Sequence, residues 1–200
     1  QRHMHFLLNN GGLYKVYNGN LLYHGCVPLK EDGNLKSVRI FGRAYKGKGL
    51  YEVLESYVRK GFYAMDPKEK ERGKDIMWYI WLSENSPLFG KDKMATFERY
   101  FLAEKETHKE KKNPYYLLLE DEKVVGKILK EFGLENEDAH IINGHVPVKC
   151  KDGENPVKCG GKVLVIDGGF SKAYQKETGI AGYTLIYNSY GLILAAPKPF

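Results

Sequence analysis

The chain has 200 residues, a length that suits one domain or one large part of a longer protein. Its 42% hydrophobic and 28% charged residues are ordinary for a globular protein, and no apolar run approaches the roughly 18 residues of a membrane span, so a packed core is expected and a transmembrane role is not. The net charge of +6 would suit a polyanion, but Lys and Arg are interleaved with Glu in DPKEKERGKD (66–75) and EKETHKEKK (104–112), a pattern of solvated faces rather than of a nucleic-acid-binding stripe.

The first predicted element is a β-hairpin over 13–24. LYKVY and LLYH flank Asn18-Gly19, the dipeptide that best tolerates the positive φ angles of a type I′ turn. His24 then ends the second strand or directly follows it. Over 50–65, Leu50, Val53, Leu54, Tyr57, Val58, Phe62 and Met65 recur at helical spacing, and Asp66-Pro67 ends the run because the residue before proline is pushed out of helical space. DIMWYIWL (75–82) is apolar throughout and reads as a buried helix or strand. SENSPLFG follows as a loop, and Asp92 is placed to cap a short helix carrying Met94, Phe97, Tyr100 and Phe101. The charged run at 104–112 reads as a surface loop or an exposed helix face.

NPYYLLLED (113–121) leads into a helix over about 122–132, with Val124, Val125, Ile128, Leu129 and Phe132 on one stripe and Gly133 placed to end it. HIINGH (140–145) is a buried strand broken at Asn143-Gly144, and KVLVID (162–167) is another broken at Gly168-Gly169. YTLIYN and GLILAA form a hairpin around Ser189-Tyr190. No repeat, low-complexity tract or linker divides residues 1–200, so no internal boundary is drawn. Alternating helices and strands followed by hairpins predict an α/β sandwich with mixed strands.

Two stretches share one grammar, a strand followed by a sharp turn that exposes an imidazole: LLYHG and IINGHVP. Ligands bind at the carboxyl ends of strands in open α/β sheets, and neutral imidazole is a common metal ligand, so His24 and His145 are candidates to converge on one ion. The bland alternative, two solvated or structural histidines, carries about equal weight. The Gly168-Gly169 loop, with Ser171, Lys172 and Tyr174 behind it, offers backbone N–H groups and an ammonium to a phosphate; an ordinary surface loop is the other reading. Asp167 suits either a ligand or turn chemistry. His140 is expected to be structural, and His3, His5 and His108 to lie at the surface. Cys26, Cys150 and Cys159 lack the C-x₂-C pairing of zinc sites and the dense spacing of a disulfide framework, so buried thiols and a reducing, cytoplasmic compartment are expected. QRHMHFLLNN has no signal-peptide pattern, and a first residue other than Met hints at a fragment, a processed protein or an incomplete gene model.

LLYHGCVPLKEDG, WLSENSPLFGKDKMATFERYF, ETHKEKKNPYY, HIINGHVPVK and GKVLVIDGGFSKAYQKETGIAGYTLIYNSYGL together resemble the C-terminal part of class III fructose-1,6-bisphosphatases, the bacterial type found mainly in Firmicutes. Those enzymes are similar to the calcineurin-like metallophosphoesterases, which hold two metal ions between the ends of two facing mixed β-sheets flanked by helices. The YHGCVP and NGHVP turns match that superfamily's second-half motifs, so the resemblance implies that His24 and His145 ligate the same ion, with Mn²⁺ as the metal of a dinuclear site. It further implies hydrolysis of the 1-phosphate of fructose 1,6-bisphosphate in gluconeogenesis. The Gly168-Gly169 loop then makes Lys172 the expected contact to the substrate's anionic end, with Ser171 and Tyr174 as weaker candidates. The GD-x-x-D and GN-H-[DE] motifs of the family's first half are absent. Catalysis is therefore expected to need the missing N-terminal part of the same enzyme as a partner. A piece lacking that part is expected to expose an apolar face and to associate, which leaves a homo-oligomer open. The competing readings are a metallophosphatase of another phosphoester and a noncatalytic metal- or sugar-phosphate-binding module.

Overall fold

The computed structural model describes residues 1–169 and 171–196, apart from the side chains of Ala173 and Tyr174. It begins with helix α1 (Arg2–Asn10), which buries none of its residues. The expected hairpin follows as β1 (Tyr14–Tyr17) and β2 (Asn20–Tyr23), paired antiparallel with Tyr17 opposite Asn20. Asn18 and Gly19 take φ of 48° and 74°, the two positive values of a type I′ turn. A second small hairpin, β3 (Val38–Ile40) and β4 (Arg43–Tyr45), leads into helix α2 (Gly47–Tyr63).

Asp66-Pro67 does more than end α2. It opens helix α3 (Pro67–Leu82), with Pro67 at the first position and the Asp66 carboxylate accepting the Glu69 amide at 2.9 Å. The charged 66–75 stretch and the apolar DIMWYIWL run are therefore one helix. Its apolar run is not buried throughout: Ile76 and Ile80 enter the core, whereas Trp78 and Trp81 stay about 60% exposed. A short helix α4 (Thr96–Phe101) does form, but Asp92 does not cap it. Ala95 stands at the cap, and the Asp92 carboxylate accepts the Lys111 amide at 2.7 Å instead. The charged segment folds as an exposed 3₁₀ turn at Lys105–His108.

A 3₁₀ turn at Pro114–Leu117 precedes helix α5 (Glu122–Glu131). Asp121 caps that helix by accepting the Lys123 and Val124 amides, and Gly133 leaves it at φ 82°. The remaining elements are β5 (His140–Asn143), β6 (Val157–Lys158), β7 (Val163–Val165), α6 (Lys172–Thr178) and the hairpin β8 (Thr184–Asn188) with β9 (Gly191–Ala195).

Among the described residues the main sheet has the order β1-β2-β5-β7-β6. Its centre is parallel (β2 with β5, β5 with β7) and its edges are antiparallel, which makes a mixed sheet. Residues paired across strands share a face. Leu21, Ile141 and Val163 form one row and bury completely against Val125 and Ile128 of α5 and Tyr51 of α2. Leu22, Ile142 and Leu164 form the next row and point to the opposite face. A second core joins Val38, Ile40, Leu50 and Leu54 to Ile76 and Ile80 of α3.

Helices α2 and α3 touch backbone to backbone where Gly61 meets Gly73. A Cβ on Gly73 would collide with the Gly61 main chain and with the Tyr57 carbonyl oxygen, 2.6 Å away. A glycine in a helix interior ordinarily costs about 0.5–1 kcal/mol relative to alanine. Here the sign is expected to reverse: Gly73→Ala should lose about 1–3 kcal/mol by overpacking. Urea unfolding of the protein and the variant checks this, and a variant as stable as the parent or more so would contradict the packing described.

Candidate metal centre

Because β2 and β5 run side by side in the same direction, they end at the same level, at Tyr23 and Asn143. His24-Gly25 leaves one end and Gly144-His145 the other. The ladder extends one step further, with the Gly144 amide donating to the His24 carbonyl at 2.9 Å. Buried Asn143 ties the two turns together by donating from Nδ2 to the Gly25 carbonyl at 3.0 Å. A third strand end joins them: the Ile166 amide donates to the Asn143 carbonyl at 2.8 Å, and Asp167 comes next in the chain. Gly25 is required where it stands, since an added Cβ would lie 2.5 Å from the Pro87 carbonyl oxygen, the group that accepts the Cys26 amide.

His145 takes φ of 69°, a left-handed value for a residue with a side chain. The Val146 amide donates to the Gly144 carbonyl at 2.9 Å across it. An i→i+2 bond around a left-handed central residue is the rare, strained γ-turn. Strain of this kind costs on the order of 1–3 kcal/mol and concentrates at functional sites.

The turns set the two imidazoles face to edge, with His24 Nε2 and His145 Nδ1 3.0 Å apart. His145 Nε2 lies 2.8 Å from the Phe89 carbonyl oxygen, which can only accept. The proton of a neutral His145 therefore sits on Nε2, and its Nδ1 lone pair faces His24 Nε2, which donates to it. Burial lowers the pKa of both rings below the ordinary 6.5, and for His145 the neighbouring His24 lowers it further. Asp167 opposes the shift at both, which places its carboxylate within electrostatic reach of the pair. Both rings are thus neutral at pH 7, the state in which imidazole binds a metal. A separation of 3.0 Å also fits neighbouring donors on one ion at the roughly 2.0–2.1 Å bond lengths of imidazole to zinc. The two rings fit a shared ion but do not complete its shell: among the described residues, no group of three or more His, Cys, Asp or Glu side chains is arranged to hold a metal.

The pair lines a cleft of about 1110 Å³. Its walls come from Leu22 and Ile142 on the sheet face opposite α5, from Ile80 and Trp81 of α3, and from the segment carrying Leu88, Phe89 and Lys91. Lys15 and Lys91 bring positive charge to it, Lys91 in an ion pair with Glu110 at 3.0 Å.

Of the residues singled out in the sequence, the structure brings together His24, His145 and Asp167. Ser171 and Lys172 are exposed at the start of α6 and are not among the cleft-lining residues. The Tyr174 side chain lies outside the described residues. Cys26 is fully buried with its thiol pushed up to about 12, so it does not act as a thiolate ligand beside His24. All three cysteines are free, and His140 is structural, its Nδ1 meeting Asn20 Oδ1 at 3.1 Å. Two contributors had no clear signal in the sequence. The Phe89 carbonyl is a backbone group, and Lys91 sits in a charged stretch that looks like ordinary surface.

Comparison with known proteins agrees with these features. The family model described as Firmicute fructose-1,6-bisphosphatase matches residues 1–200. The chain is 60% identical over 201 aligned positions to the protein named fructose-1,6-bisphosphatase class 3 of Clostridium botulinum strain Hall, and 59% identical to its namesake in Clostridioides difficile strain 630. Each alignment covers all of this chain and 30% of the relative, so the chain spans less than a third of the length of those proteins. No solved structure matches it. The chain belongs to the Firmicute fructose-1,6-bisphosphatase family.

Proposed function

We propose that this chain is the C-terminal part of a phosphatase that hydrolyses fructose 1,6-bisphosphate to fructose 6-phosphate and phosphate at a dinuclear Mn²⁺ site of the calcineurin-like type, working in the cytoplasm in gluconeogenesis. The observation that carries this reading is the pair of neutral imidazole nitrogens facing each other at 3.0 Å beyond two parallel strands, in a chain 60% identical to part of a named class 3 fructose-1,6-bisphosphatase. His145 Nδ1 and, once its proton moves to Nδ1, His24 Nε2 supply two donors to one ion, and the polypeptide preceding this part supplies the others. The Phe89 carbonyl holds the His145 proton on Nε2 and so keeps Nδ1 free to ligate, the usual outer-shell role of a carbonyl. When bound, a divalent metal pair offsets charge on the phosphoryl oxygens and makes a water nucleophilic at neutral pH. Lys15 adds positive charge along the cleft toward a substrate with two phosphate groups, and Lys91 stands there paired with Glu110. Lys172, just beyond the Gly168-Gly169 loop, is proposed as a contact to the distal phosphate, with Ser171 and Tyr174 as secondary contacts.

The test uses the full-length polypeptide, stripped of metal and reloaded with Mn²⁺, with phosphate release measured from fructose 1,6-bisphosphate, fructose 6-phosphate and a phosphopeptide, and mononucleotide release measured from a dinucleotide. Fructose 1,6-bisphosphate should be turned over fastest. Comparable rates on all substrates would favour a different phosphatase, and metal binding without turnover would favour a binding module. Loss of outer-shell partners typically costs 10–100-fold in metal affinity or activity, so His24→Ala and His145→Ala should each cost about 100-fold or more in kcat/KM and lower the metal content. Lys172→Ala should raise KM; unchanged KM and kcat would remove Lys172 from the site.

The histidine shifts also set a pH dependence. Both native pKa values lie below 6.5, so between those values and 6.5 the unfolded chain binds more protons than the folded one. The metal-free protein should therefore lose stability as pH falls through that window, with no contribution from these rings above it. His145→Asn should flatten the slope. Chemical denaturation in chelator at pH 7.5, 6.5 and 5.5 reads this out, and equal slopes in parent and variant would show that the shift is absent.

A further inference from the structure

Part of the apolar surface that the fold leaves uncovered stands beside the metal cleft. Helix α3 has two apolar stripes. Gly73, Ile76 and Ile80 face the core, while Met77, Trp78, Trp81 and Leu82 face outward at i, i+4 spacings. Both tryptophans of the chain are on the outward stripe, their rings stacked at 5.6 Å with an 18° tilt. Helix α4 repeats the pattern, with Phe97, Tyr100 and Phe101 each at least 74% exposed and Phe97 stacked on Phe101 at 6.3 Å. The α3 ridge reaches the cleft through Trp81, and Met94, two residues before α4, lines it as well, together with His24 and His145. Single exposed apolar residues are normal, but a contiguous aromatic surface marks an interaction site, and Trp and Tyr are enriched at the anchors of such sites. Charge follows the same division. Lys and Glu crowd the first half of α3, whereas only Asp75 is charged in DIMWYIWL.

We infer that the aromatic ridge of α3 and α4 is the docking surface for the preceding part of the same polypeptide, which closes over the cleft as it delivers the missing metal ligands. The inference rests on the reading that this chain is one part of a longer phosphatase. Three observations select that occupant. More than two thirds of the length of the curated relatives lies outside the region this chain matches, so on the proposed reading a large body of polypeptide is available to cover it. The histidine pair lacks a third ligand among the described residues, and whatever completes it must enter the cleft that Trp81 and Met94 border. The outward stripe of α3 carries no charge and α4 carries one residue of each sign, Glu98 and Arg99, which suits another protein surface and not a polyanion. A second copy seated on the same ridge would shut the cleft against the ligands it lacks.

Hydroxyl-radical footprinting of the full-length polypeptide, read by mass spectrometry, tests this. Modification of Trp78, Trp81, Phe97 and Tyr100 is compared with the same residues in the urea-unfolded chain, and Met65, 95% exposed in this part, serves as a reference. Residues at the centre of a protein interface are fully desolvated, so the ridge should be modified on the order of tenfold more slowly than in the unfolded chain, at every protein concentration. Modification as fast as in the unfolded chain would overturn the inference. Protection that disappears on dilution to the monomer would also overturn it and would assign the ridge to a second copy. The double substitution Trp78→Glu with Trp81→Glu should expose a protease-sensitive junction and lower the bound metal, whereas Trp78→Phe with Trp81→Phe should restore both. Turnover of fructose 1,6-bisphosphate on the same samples separates the two readings. An active full-length enzyme with a fully labelled ridge defeats the docking surface and leaves the proposed function standing.

Discussion

The parallel pairing of β2 with β5 is the constraint on which the site depends. The two histidines are 121 positions apart, and no local preference brings them together. The register that sets Leu21 opposite Ile141 buries both side chains completely against the α5 side, and that burial fixes it. A slip of one residue would turn every apolar side chain of the strand to the opposite face. Once the register is set, Tyr23 and Asn143 end at the same level. The Gly144 amide then reaches the His24 carbonyl, and the two rings have nowhere to go but toward each other. Hydrophobic burial, which has no direction of its own, is converted by the strand geometry into a 3.0 Å contact between two nitrogens.

The surroundings hold that contact. Tyr23, just before His24, gives its hydroxyl to a buried 2.7 Å bond with the Tyr115 hydroxyl, and the Tyr51 hydroxyl donates to the Cys26 carbonyl at 2.9 Å. Burial raises the pKa of all three phenols, so they stay protonated and keep these bonds at any working pH. The His24 segment is therefore clamped two residues after His24 and one residue before it. On the other strand, the strained turn at His145 is held by the Val146–Gly144 bond and by the ring's own bond to Phe89. Strain of about 1–3 kcal/mol is tolerable only where surrounding bonds over-determine the conformation, and here they do.

What could be read in the sequence was what local chemistry dictates. Asn18-Gly19 specifies its turn through φ preferences alone, and the 124/125/128/129/132 stripe specifies α5 through its period. His24 and His145 were legible as strand-end residues because a Gly is adjacent to each and a Pro follows shortly after. The misreadings have a common cause in long-range partners. Asp92 would suit a helix cap, but the Lys111 amide, 19 residues away, takes its carboxylate. DIMWYIWL has the composition of a buried segment, and periodicity finds a helix's apolar stripes without saying which of them is covered. The carbonyl of Phe89 cannot be read from any side chain, because its role arises from where the chain passes.

The half-finished shell and the uncovered aromatic ridge become one feature when they are considered together. On the proposed reading, an ion at this site draws ligands from two parts of one polypeptide, two of them from His24 and His145. An ion that binds only when both parts are in contact must strengthen that contact by the same factor by which the contact strengthens its binding, because the coupling free energy is reciprocal. The apolar ridge then has a role beyond adhesion. The hydrophobic contact holds the parts in register before metal arrives, when two neutral imidazoles and a nearby carboxylate offer too few donors to hold an ion alone. Preorganisation of the two rings lowers what the ion must supply in ordering, and burial of the ridge lowers what it must supply in assembly. A chain with the strained turn but without the aromatic ridge would place its ligands correctly and still bind metal weakly. A chain with the ridge but without the turn would assemble around a misdirected nitrogen. Both features stand on the same cleft, which is where a site shared between two parts of a protein requires them.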